Sequence, residues 1–263
     1  MIRKRIYQAA AVIVPALAAV ALTAGTASAL TGPTVPTKEE AGYQVTGAQF
    51  AGIHGTVYLR NAAQYSASVA GLGQSVQLWG GGKVFVLGVS NGTVAGPYSP
   101  AVAVFNSTTH ALICSTANGT CPDVPASWTS GAANVPTGHY VRISAFYSTA
   151  TGVIHFTVAD TTAGTATSYG YDAGTGISFK EARLGSEYGN DPWSAPAFTA
   201  PSAQQKVAAF TSAGLTNYLG KSFSLTGYWT TSPLAMTGAG SVVEADAGPL
   251  DVTGSAFNTY LEP

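Results

Sequence analysis

The chain has 263 residues, a formal net charge of −1, 9% charged residues and 46% hydrophobic ones, with 31 glycines. No basic cluster exists beyond the first five residues, which excludes the electrostatic footprint of a nucleic-acid or anionic-membrane binder. Charged residues usually make up about a quarter of a globular chain, so Ser, Thr, Gly and Asn must carry most of the polar surface here.

Arg3, Lys4 and Arg5 precede an apolar run from about Ala9 to Leu22, and Ala27-Ser28-Ala29 follows it. A positive start, a short apolar stretch and a small-x-small site predict a secretory signal over 1–29. Pro15 and the Thr/Gly end of the run speak against a membrane anchor, and no other run is long enough to span a bilayer. The product is therefore expected to be secreted and extracellular, with no membrane span. Residues 30–41, LTGPTVPTKEEA, are Pro-rich and charged and read as a flexible N-terminal arm. Residues 42–263 read as one domain, expected as a monomer.

The domain opens with two alternating stretches, Tyr43 to Thr46 and Gly55 to Leu59, and a weaker strand candidate from Tyr65 to Val69. The stretch from Ser75 to Phe105 then holds three apolar segments separated by glycines and a Gly/Pro/Asn turn region. Its middle segment, Lys83 to Val89, is apolar on both faces, as a strand covered from both sides should be. Cys114 and Cys121 are the only cysteines. In an exported chain an even count favours pairing, here as a clip on a turn. Pro122 to Pro136 is a long excursion of the kind that often forms a lid.

His139 to Tyr147, Gly152 to Ala159 and Thr165 to Tyr171 continue the alternation. Ile177 to Phe198 concentrates charge, with Lys180, Glu181, Arg183, Glu187 and Asp191. Pro201 to Lys206 is placed to start a turn or two of helix. Ser222 to Trp229, Gly240 to Asp246 and a segment near Phe257 close the chain as strands. Short strands with regular turn signals predict an all-β antiparallel sandwich, concanavalin-like or jelly-roll, in one domain.

Several chemistries lose their basis at once. No G-x-S-x-G elbow exists, since Gly73-Gln74-Ser75 runs into Val76 and Gln77. The histidines His54, His110, His139 and His155 are scattered, so no metal site is expected, and no cofactor motif appears. Glu244 and Asp246 stand two apart on a predicted strand, on one face. That pattern resembles part of the E-x-D-x-x-E strand of jelly-roll β-glucanases, with Pro249 at the last Glu position. Trp79, Trp193 and Tyr188 offer flat rings for a peptide or carbohydrate ligand.

The layout from about Gly42 to Leu225 resembles the glutamic peptidases (eqolisins), secreted β-sandwich enzymes of acid pH. The parts that carry it are GYQVTGAQF, the run Trp79 to Gly88, and KEARLGSEYGNDPW with the following AAFTSA. The resemblance implies a dyad on the concave sheet, a Glu as general base and a Gln amide for the oxyanion. Glu187 fits the Glu, with Glu181 as second choice. The family's Gln position falls on Val86, which leaves Gln77 on the preceding strand as the candidate amide. Three readings stay open: a binding protein on this scaffold, an acid endopeptidase using Glu187 and Gln77, and a glycan-binding or glycan-hydrolysing jelly roll.

Overall fold

The computed structural model describes residues 30–61, 72–91, 97–188, 200–227 and 229–263. The candidate strand Tyr65 to Val69 and the candidate ligand residue Trp193 lie outside them.

The described residues are almost entirely extended. One layer is built on β3 (Glu40–Phe50), β5 (Leu72–Gly80), β6 (Lys83–Ser90), β7 (Ser99–Asn106), β8 (Leu112–Ser115), β12 (Phe179–Tyr188) and β15 (Thr230–Thr237). Pairing runs β15-β3-β12-β5-β6-β7-β8, all antiparallel. The other layer uses β4 (Gly52–Tyr58), β9 (Tyr140–Ser148), β10 (Val153–Asp160), β11 (Thr165–Asp172), β13 (Gln205–Thr216) and β17 (Phe257–Leu261). Its order is β17-β13-β4-β9-β10-β11. Strand β16 (Val243–Ala247) pairs with both β15 and β17 and joins the layers along one edge. A short β14 (Ser222–Ser224) pairs with β13. The architecture is the expected antiparallel β-sandwich.

The core lies between the layers because each strand alternates. On β9, Val141, Ile143, Ala145 and Tyr147 are buried while Tyr140, Arg142 and Phe146 are exposed. Phe179 from one layer meets Tyr147 from the other with ring centroids 5.2 Å apart. Phe85 lies 5.8 Å from Tyr171 across the same interface. A side chain at Gly55 would come within 3.0 Å of Leu184 Cδ2, so this glycine allows the layers to approach.

Several expectations need correction. Residues 30–41 are not a free arm. Strands β1 (Leu30–Thr31) and β2 (Val35–Thr37) run parallel along β15, and β3 begins at Glu40 rather than beyond Gly42. Composition gave disorder, but the sheet edge offers backbone partners that composition does not report. The expected helical start after Pro201 is absent, because the β-branched and aromatic residues after Gln205 pair on both sides as β13. Pro122 to Pro136 is not a loose lid. It carries a one-turn helix, α1 (Ala126–Thr129), whose Trp128 is buried and donates its indole N–H to Thr167 Oγ1 at 2.7 Å. Cys114 and Cys121 form the expected disulfide, Cα atoms 4.8 Å apart. Among the described residues no helix is long and apolar enough to cross a membrane.

Candidate active site

Alternation sets which side chains of the first layer leave the core. On β12, Ala182, Leu184 and Tyr188 turn inward, so Glu181, Arg183, Gly185 and Glu187 share the open face. On β5, Val76 and Leu78 turn inward, so Gly73, Ser75, Gln77 and Trp79 share it. Register then fixes the neighbours. Glu187 stands opposite Gly73, Gly185 opposite Ser75, and Arg183 opposite Gln77. Between the level of Glu187 and that of Gln77, the row across the sheet is Gly42, Gly185, Ser75 and Gly88. Three of those four have no side chain, so Glu187 and Gln77 can lean toward each other along the sheet and meet.

They do meet. Gln77 Nε2 donates to Glu187 Oε1 at 2.8 Å, and Ser75 Oγ donates to the same oxygen at 2.6 Å. The Gln77 carbonyl accepts the indole N–H of Trp79 at 2.9 Å. The Arg183 guanidinium stacks on that indole, 4.4 Å from the ring centroid. Arg183 Nε also donates to Glu181 Oε1 at 2.7 Å, and its Nη1 reaches Glu40 Oε2 at 3.3 Å. Burial raises the pKa of Glu187, against the pull of the Ser75 and Gln77 bonds and the Arg183 charge. Burial also pushes Glu40 up to about 8, with Arg183 opposing and Glu187 adding. Three strands thus bring together two raised carboxyl groups, one amide, one hydroxyl and one cation.

A cleft of about 470 Å³ begins at Glu187 and Glu39 and crosses β6 and β7 to the disulfide loop. Gly73, Gly88 and Ser90 floor its near end, while Val86, Ala103, Phe105 and Leu112 make an apolar wall. Ala117 and Asn118 of the disulfide loop close the far end. Val84, Val86 and Phe105 form a separate apolar cluster on this face, with Trp79 and Ala103 packed against it.

The expected residues distribute as follows. Glu187 and Gln77 are bonded to each other, whereas Glu181 sits one level beyond Arg183 as its ion-pair partner. Trp79 is on the open face. Tyr188 is not: its side chain is fully buried in the core, since position 188 falls on the inward side of the alternation. Val86 lines the cleft but offers neither donor nor acceptor. Glu244 and Asp246 lie on β16, away from the residues lining this cleft. Burial and the neighbouring Glu262 raise Asp246 to about 6. Ser75, Arg183 and Glu40 escaped the sequence reading as members of the site. Ser75 could have been found as the same-face neighbour of Gln77, but Glu40 depends on pairing with a strand about 140 residues away. Among the described residues no group of three or more His, Cys, Asp and Glu could hold a metal.

The fold is the β-sandwich architecture of the glutamic peptidases. No protein-family model matches the sequence, and no curated protein matches it either. Solved structures do. Scytalido-glutamic peptidase, crystallised with a transition-state analog inhibitor, superposes with a TM-score of 0.56 at 14% identity, covering 84% of this chain and 97% of that one. SCP-B, a member of the eqolisin family of peptidases in complex with the tripeptide Ala-Ile-His, gives 0.51 at 13% identity, over 86% and 98%. At these identities the likeness establishes the fold.

Proposed function

We propose that this chain is an exported peptidase in which Glu187 is the general base and Gln77 its amide partner. The observation that carries the reading is the 2.8 Å bond from Gln77 Nε2 to Glu187 Oε1 at the end of a cleft of about 470 Å³. Both donors to Glu187 converge on Oε1, and among the described residues Oε2 meets no protein donor. An ionised Glu187 would use that oxygen to take a proton from water as the water attacks a peptide carbonyl. The Gln77 amide, held by Trp79, has a second N–H with which to answer charge on the carbonyl oxygen. The raised pKa of Glu187 makes it a stronger base than an ordinary carboxylate and moves its working range to higher pH.

The test is direct. Purified protein should cleave a denatured protein substrate at pH values above the ordinary carboxylate range and up to about 8, and Glu187→Gln should lower kcat by at least about a hundredfold. Retention of full activity by Glu187→Gln would end the proposal.

A second reading, peptide binding without hydrolysis, is favoured by one specific observation. Gln77 is 1% exposed, and Val86 rather than Gln77 lines the cleft. A peptide that binds to the unaltered protein and is recovered intact at every pH would select it. Glu244 and Asp246, the candidates for glycan action, do not line this cleft.

A further inference from the structure

We infer that Glu40 is a positioning residue of this site: it holds a proton on the strand facing Glu187 and, through Arg183 and Trp79, keeps the Gln77 amide turned toward Glu187. The inference rests on the reading of Glu187 and Gln77 as the reacting pair.

The first ground is register. Glu40 on β3 is the direct cross-strand partner of Glu187 on β12. Directly opposed residues on one face have Cβ atoms about 5 Å apart, and two like charges there repel. The pairing is tolerable when one of the two carboxyl groups keeps its proton. The bonds decide which. Glu187 receives Ser75 Oγ and Gln77 Nε2, donors that favour its ionised form. Glu40 is 3% exposed, and its Oε1 is buried with no hydrogen-bond partner among the described residues. An orphaned oxygen in that setting disfavours the anion. Its other oxygen accepts only the longer bond from Arg183 Nη1, 3.3 Å. The charged groups acting on Glu40 all come from β12: Arg183 favours ionisation, whereas Glu187 and Glu181 oppose it. From β2 it meets the neutral hydroxyl of Thr37, which accepts the Glu40 backbone N–H.

The second ground is a closed circuit of contacts. Glu40 and Glu181 grip the Arg183 guanidinium from two sides. That guanidinium lies on the Trp79 ring, the Trp79 N–H fixes the Gln77 carbonyl, and the Gln77 N–H reaches Glu187. Glu187 then faces Glu40 again. While Glu40 is neutral, the Arg183 charge is matched by Glu181 alone and still favours an ionised Glu187. Once Glu40 ionises, two buried carboxylates confront each other and compete for one cation.

Two substitutions separate these roles. Glu40→Gln keeps an acceptor for Arg183 and cannot ionise; Glu40→Ala removes both features. The unaltered protein should lose kcat above about pH 8, the point at which Glu40 gives up its proton. Glu40→Gln should keep kcat within about threefold at pH 6 and shift the alkaline limb upward by about one unit or more. Glu40→Ala should lower kcat about tenfold or more with KM within about twofold, the pattern of a lost orientation. Thermal unfolding gives a readout free of activity. Between about pH 5 and 8 the Tm of the unaltered protein should fall more steeply than that of Glu40→Gln. An alkaline limb and a Tm slope unchanged by Glu40→Gln would overturn the inference. Should no hydrolysis be seen at any pH, the reading of the reacting pair falls, while the Tm slopes still uphold or overturn the proton held by Glu40.

Discussion

The Trp79 indole N–H donates to Gln77 Oε1 at 2.9 Å and thereby decides which end of the Gln77 amide faces Glu187. An indole nitrogen is a donor only, so it can bind the amide oxygen and never the amide nitrogen. Trp79→Phe keeps a ring for Arg183 and for the Val84–Val86–Phe105 cluster but frees the amide to turn. We expect a loss of about tenfold in kcat with little change in Tm, checked by steady-state kinetics beside thermal unfolding.

The pH profile should carry the signature of Glu187. Its pKa is raised by burial, and the Ser75 bond works against that rise. Because the base acts ionised, kcat/KM should climb with pH through a value above the ordinary 4.5. Ser75→Ala removes one donor to the carboxylate, worth about 1.5 kcal/mol for a bond to a charged group, and so moves the acid limb up by about one unit. An unmoved or lowered limb would show that Glu187 does not set it.

Buried acids with raised pKa values also make a stability prediction. Glu40 binds its proton up to about 8 in the folded chain, against 4.5 for the free side chain. Its contribution is complete below pH 4.5 and is lost as pH rises through about 8. Asp246, raised to about 6, adds the same sign over a lower window. Stability measured by denaturant should therefore decline from about pH 5 to 8, and Glu40→Gln together with Asp246→Asn should make that slope shallower, the remainder coming from other raised acids such as Glu187.

Two glycines on one row should answer substitution in opposite ways. A Cβ on Gly88 would have only Gln74 O as a near neighbour, at 3.9 Å, and would project into the cleft. Gly88→Leu should leave Tm nearly unchanged and weaken peptide affinity about tenfold or more, read by calorimetry or by KM. A Cβ on Gly185 would lie 2.3 Å from Ala41 O, inside the β3–β12 ladder. Gly185→Ala must push the two strands apart and should cost about 2 kcal/mol or more.

The disulfide ties a loop that forms one end of the cleft. It spans a sequence separation of 7, for which loop closure is worth about 2–3 kcal/mol. Ala117 and Asn118 of that loop line the cleft. Replacing Cys114 and Cys121 by Ser should lower stability by about that amount and raise KM for peptides long enough to reach the loop, leaving short ones unaffected.

Much of this was legible in the chain, for reasons that differ by element. The three apolar segments between Ser75 and Phe105 announced strands because β-branched residues and glycine punctuation act locally, and β5, β6 and β7 follow them closely. Glu187 drew attention as one of few charges in a charge-poor chain. Tyr188 misled because an aromatic ring one position along a strand points to the opposite face. Thr230 to Thr237 contains Pro233 and is not among the strands read from the sequence, yet β15 pairs with β3 and β16 on one side and with β1 and β2 on the other. Pairing partners, absent from any local window, outweighed local preference there.

The sequence by itself determined the period of the strands it announced, the two-layer class and the residue types available for acid-base chemistry, because alternation and side-chain chemistry are properties of short windows. Which carboxyl group meets which amide was decided only by tertiary structure. Gln77 reaches Glu187 because β5 and β12, a hundred residues apart, pair in one register, and a slip of one residue would send one of the two into the core.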